Sequence, residues 1–282
     1  MLRRTWFVAV IWLALTACSG EGAGGESSPS SPDPADRLET AVQDLTDANT
    51  GHFESRLVSM GDEFWSEAGV YRLDPPAYAV TRVHQEGTHT LYVRSVTIGA
   101  DSWAGLADDG QTEPSCWLKA PPDALASAFG TGQLATGLSL PTAVAVPAGA
   151  RHGARGDGDT VRAQADLATA AGTLGGAFPE LVDLDPGEHA RLAIDFDLHD
   201  DRFTGWSVTL ENVVEAARAA GHPVDGPLTR ADANYFATLS DIGDPVTIEP
   251  PSEPVVDVGA GSMHDMEDAM ADCLGPGAST RT

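Results

Sequence analysis

Lysine is almost absent from this chain of 282 residues. Lys119 stands alone beside fifteen arginines, and the 16 basic residues face 42 acidic ones, for a net charge of −26. A surface this acidic repels phosphate backbones, and no basic patch with interleaved aromatics offsets it, so nucleic acid is excluded as a partner. Anionic lipid headgroups are repelled too, unless something else holds the chain at a membrane. Catalytic signatures are also missing. There is no GxSxG, HExxH or P-loop, and no GxGxxG after a strand. The nearest serine candidate, "GLSLP" around Ser139, lacks the second glycine. The expectation is a protein that is not an enzyme and carries no cofactor. Cysteine is scarce, with three in the chain, and aromatics make up 6%. Hydrophobic residues still reach 42%, and the length is ample for a real core.

One long apolar run exists, at the very start. Arg3 and Arg4 precede "TWFVAVIWLALTA", which is too short to span a bilayer comfortably and has the length of a signal-peptide core. It ends in Leu15-Thr16-Ala17-Cys18, which resembles the lipobox of bacterial lipoproteins. The small residues let a peptidase cut before Cys18, whose thiol takes a diacylglyceryl group. The alternative is a plain secretory signal with an incidental cysteine. Cutting at that point makes residues 1–17 a signal peptide, and losing two arginines takes the net charge from −26 to −28. Two or three acyl chains, at about 0.8 kcal/mol per buried CH₂, anchor even so acidic a body. The expected location is the cell membrane, lipid-anchored and facing the extracytoplasmic side. The expected first partner is membrane lipid, through acylated Cys18.

Residues 18–36, "CSGEGAGGESSPSSPDPAD", lack apolar periodicity and read as a flexible tether. "ADRLETAVQDLTDANT" places Leu38, Val42, Leu45 and Ala48 on one helical stripe, with Gly51 as a stop signal. From His52 to Lys119 the period changes to two. Short β-branched and aromatic runs, separated by turn residues such as Asp74-Pro75-Pro76 and Glu86-Gly87, predict a meander of antiparallel strands. "PPDALASAFG" reads as a short helix. "TAVAVPAGARHG" and "DTVRAQADL" read as further strands, with "GDGD" as a turn. "LATAAGTLGGAFPELV" is a glycine-diluted helix. "ARLAIDFDLHDDRFTGWSVTL" reads as two strands around Asp200-Asp201, "ENVVEAARAAG" as a helix, and "NYFATLSDIGDPVTIEPP" as a late strand with a proline-rich exit. A last helix carries Met263, Met266, Met270 and Cys273 on one stripe and stops at Gly275-Pro276.

With Cys18 assigned to lipid, Cys116 and Cys273 remain. An even pair in an exported chain reads as one disulfide, with two buried thiols as the alternative. "DFDLHDD" sets Asp195, Asp197 and His199 on one strand face, where a divalent cation is the sharper reading and a solvated outer face the ordinary one. His84 and His89 read as exposed strand ends, and the methionine stripe as packing against the sheet. No metal site is expected.

The order of lipobox, tether, amphipathic helix, "TGHFESRL", "EAGVYRLDPPAYAVTR" and the late "YFATLSDIGDPVTIEPP" resembles the actinobacterial lipoproteins of the LppX/LprA/LprF/LprG type, which are similar in fold to the LolA carrier. The likeness covers roughly residues 37–255, with 256–282 as an added C-terminal helix and tail. A helical segment at about 211–232 is a second departure. The resemblance implies an α+β fold: a curved antiparallel half-barrel with helices on its concave face and an apolar space that holds acyl chains. It implies a lipid or acylated ligand. Strand parity then offers Phe53, Leu57, Tyr71, Leu73, Leu91 and Val93 as lining residues. The rival expectation is a surface interaction or envelope-structure lipoprotein with a filled core and no lipid cargo. Oligomeric state is not legible.

Overall fold

A computed structural model describes residues 33–59, 62–86, 89–107, 114–122, 124–125, 141–149, 152–166, 191–219, 221, 232–252, 254–259 and 263–274. These lie in one compact unit that begins at Asp33. Cys18, the tether up to residue 32 and the segment "LATAAGTLGGAFPELV" lie outside the described residues.

The chain enters through helix α1 (Pro34–Ala48). Asp33 caps it, its carboxylate accepting from the Ala35 N–H at 2.9 Å, and Pro34 occupies the first turn. Leu38, Ala41 and Leu45 form the buried stripe, while Val42 is only partly buried. The helix ends at Asn49, whose φ of 66° is left-handed and whose N–H reaches Leu45 O. Gly51 is therefore not the stop. It opens the first strand, where an added Cβ would meet the Tyr71 hydroxyl at 2.6 Å.

Two antiparallel meanders follow. The first contains β1 (Thr50–Ser59), β2 (Asp62–Arg72), β3 (Ala77–Glu86), β4 (His89–Ile98), β5 (Asp101–Ala107) and β6 (Trp117–Lys119). The second contains β7 (His152–Asp157), β8 (Thr160–Asp166), β9 (Arg191–His199), β10 (Arg202–Thr209) and β11 (Ala233–Ser240). The first strand of one pairs with the last strand of the other, β1 with β11. With β12 (Val255–Asp257), the result is one open twelve-stranded sheet in the order β12-β6-β5-β4-β3-β2-β1-β11-β10-β9-β8-β7. Every neighbouring pair is antiparallel except β12 with β6. Asp200 and Asp201, both at positive φ (50° and 58°), make the tight β9–β10 turn.

Helix α2 (Thr142–Gly149) lies between the meanders. Its sequence, "TAVAVPAG", reads as a strand by its β-branched residues. The Val144 and Ala145 N–H groups instead bond to Pro141 O, and Ala143, Val144 and Val146 are buried on the sheet. Tertiary packing overrides a weak local preference here. Helix α3 (Leu210–Ala219) follows β10 directly and buries Val213, Val214, Ala216 and Ala217. Helix α4 (Met263–Leu274) closes the chain and sends Met266 into the core. Helices α1, α2 and α3 pack over β1 and the second meander, and α4 packs at β6.

Sheet parity is consistent across the strands. One face carries Phe53, Trp65, Tyr71, Tyr78, Val80, Val93, Ala104, Phe196, Trp206 and Tyr235, all buried. The opposite face carries the alternating polar and charged positions over β11, β1 and β2, and a second, smaller apolar cluster of Val96, Trp103 and Trp117 over β4–β6. Trp206 anchors α2 to the core face, its indole N–H donating to Ala143 O at 2.9 Å.

Candidate functional site

The register places five of the six proposed lining residues along the core face or beside it. Phe53 lies opposite Leu239 and Gly69. A Cβ on Gly69 would meet the Phe53 ring at 3.1 Å and run into Ala79 O, so only glycine leaves that ring its place. Tyr71 pairs across to Gly51 and Tyr78, and Val93 to Arg82. Leu57 and Leu73 are partly buried against the same core. Leu91 pairs with His84, but the side chains of Leu91, His84 and His89 are outside the described residues. Phe53, Tyr71 and Val93 are 1%, 0% and 4% exposed. All three are buried.

Amid this apolar face sits a polar knot. Ser55, Glu67 and Arg82 lie side by side on β1, β2 and β3. The Ser55 hydroxyl donates to Glu67 Oε1 at 2.9 Å, and Arg82 donates to Glu67 Oε2 at 3.2 Å. The Arg82 guanidinium also lies over the Trp65 ring, 4.9 Å from its centroid. Arg82 Nε has no hydrogen-bond partner, and neither does the Tyr71 hydroxyl. The buried Tyr235 hydroxyl stands beside Ser55 without a hydrogen bond of proper geometry. Burial, then the Glu67 charge, push the Tyr235 phenol well above its ordinary pKa, against the opposing effects of Ser55 and Arg82. Burial pushes Tyr78 up to about 12. Sequence reading passed over this knot. Its signal was parity: Glu67 falls between Trp65 and Tyr71 on the apolar phase of β2.

A cavity lies on the other face. It has a volume of about 540 Å³ and runs across β11, β1, β2 and β3. Glu54, Arg56, Ser66, Ala68, Thr81, Val83, Phe236 and Thr238 turn their side chains into it, and Glu63 closes one end. Register shifts at Leu57/Val58, and such a bulge bends the hairpin. A smaller cavity of about 310 Å³ lies between α1 and the start of β10, with Asp44, Asp47 and Arg202 at its rim.

The remaining candidates resolve simply. Cys116 and Cys273 are paired, with Cα atoms 5.4 Å apart and a sequence separation of 157. Asp195 and Asp197 share the outer face of β9 but are engaged: Arg162 grips Asp195 at 2.6 and 2.7 Å, and Thr160 donates to Asp197. The Asp195 carboxylate also raises the Arg162 pKa. No group of three or more His, Cys, Asp or Glu side chains fit for a metal occurs among the described residues. Met266 packs into the core, and the side chains of Met263 and Met270 are outside the described residues. No described helix is long and apolar enough to cross a membrane. A scan against protein-family models finds no match, and a search of curated proteins finds no significant one.

Proposed function

We propose that the chain is a lipid-anchored extracytoplasmic lipoprotein that binds or carries a lipid or acylated molecule against the apolar face of a curved, half-barrel sheet. The observation that supports this reading most is the reach of that face. It spans both meanders, with the Ser55–Glu67–Arg82 knot set into it, while the described helices gather mainly over β1 and the second meander. An acyl chain is the ligand that such a face suits, since it gains about 25 cal/mol for each Å² of apolar surface removed from water. The lipobox-like Leu15–Cys18 supports the same chemistry at the N-terminus. In this reading, Phe53, Tyr71 and Val93 meet the acyl chain only after their present cover has moved aside.

The burial of those three side chains favours a second reading, a surface lipoprotein with a filled core that works through its acidic exterior. Native mass spectrometry of the full exported protein, released from membranes without denaturation, separates the two. Cargo predicts an extractable lipid in addition to the covalent N-terminal acyl groups. A protein mass that carries the N-terminal lipid and nothing else, even after incubation with free fatty acid, overturns the carrier reading.

A further inference from the structure

The cavity on the outer face lies on the opposite side of the sheet from the core and is independent of any acyl ligand. We infer that it is a saccharide-binding groove. Its 540 Å³ fall within the roughly 300–1,000 Å³ typical of small-ligand sites. Phe236 supplies an exposed aromatic ring at 36% exposure, one of two large hydrophobic side chains that open to solvent among the described residues. Arg56 lies over that ring, 5.4 Å from its centroid, and makes no ion pair or side-chain hydrogen bond among the described residues. Glu54 and Glu63 flank it and are likewise unengaged, and so are the hydroxyls of Ser66, Thr81 and Thr238.

The donor and acceptor inventory selects the ligand class. Ionised carboxylates only accept, a guanidinium only donates, and hydroxyls do either. A polyol satisfies all three at once, because each of its hydroxyls donates to Glu54 or Glu63 while accepting from Arg56. The C–H face of a pyranose ring suits the part of Phe236 that Arg56 leaves open and the small apolar floor of Ala68 and Val83. A phosphate is disfavoured by two carboxylates against one guanidinium. A purely apolar ligand would leave all three charges desolvated without partners.

Isothermal titration of the full acylated protein in phosphatidylcholine nanodiscs tests the assignment, with cellobiose and di-N-acetylchitobiose as probes and glycylglycine and inorganic phosphate as controls. The expected result is saturable millimolar binding of at least one disaccharide. Phe236→Ala and Arg56→Ala should each weaken it by about ten-fold or more, with the circular dichroism spectrum unchanged. Absence of disaccharide binding at tens of millimolar overturns the inference. So does binding that both variants retain, or binding of a control with no saccharide bound. Loss of lipid cargo in the mass-spectrometric experiment leaves this result untouched, so the two readings fail separately.

Discussion

Glu67 and Arg82 meet on the buried face of the sheet, and their side chains are 0% and 8% exposed. Two charges brought this far from water gain little over a well-packed apolar pair, but either one left alone is costly. Glu67→Gln or Arg82→Met should therefore lower stability by about 3–5 kcal/mol, measured by urea unfolding. The double variant Glu67→Leu/Arg82→Met should recover most of that loss, because no orphaned charge remains. The buried phenols give a second residue-scale prediction. Tyr78 is raised from 10.0 to about 12, so the native state holds its proton longer than the unfolded chain does. This contribution is fully present below pH 10 and is lost between about pH 10 and 12, at about 1.4 kcal/mol for each unit of difference. Tyr71 and Tyr235 are raised in the same sense. Ionisation of these three phenols should therefore coincide with loss of the native circular dichroism signal, read as phenolate absorbance. Parity in the sequence was enough to place Phe53, Tyr71 and Val93 on one face. It carried no information on whether the facing space was filled, because that depends on segments distant in the chain.

At the scale of elements, the strands were legible because period-two alternation is strict where one face is buried, as in β1, β9 and β11. Paired Asp200-Asp201 marked its turn for the same local reason. The failure at α2 is equally physical. Its apolar residues cover nearly every side of the helix, so no period distinguishes helix from strand, and Pro147 argues against neither at an element's end. The buried stripe of α1 runs through Ala41 rather than Val42, a rotation of one residue set by the sheet beneath. The C-terminal elements are held from three sides. β12 pairs with β6, Met266 enters the core, and Cys273 bonds to Cys116. Cys273→Ser should cost about 2–5 kcal/mol, read as a lower melting temperature that added thiol reductant does not lower further. Met266→Ala should cost about 2–5 kcal/mol in the oxidised protein, by cavity formation.

At the scale of the whole molecule, the N-terminus and the acidic body pull in opposite directions. In the proposed lipoprotein reading, acyl chains attach the chain to lipid, while the net charge of −28 left after the cut before Cys18 keeps the body from lying flat on an anionic surface. Cys18→Ser should move the protein from the membrane fraction to the aqueous fraction, as seen by fractionation at physiological salt. Retention at the membrane would mean that the apolar run holds the chain there uncut. The sheet's connectivity has a further consequence, for biogenesis. If the chain is exported as proposed, it emerges N-terminus first, so β1 leaves the channel early and must wait for β11 before the midline of the sheet exists. β6 waits longer still for β12. During that interval the first meander exposes two unsatisfied edges and an aromatic face, which is the state that invites aggregation or capture by a holding chaperone. The order of emergence, more than the strength of any contact, sets the period of greatest risk for this protein.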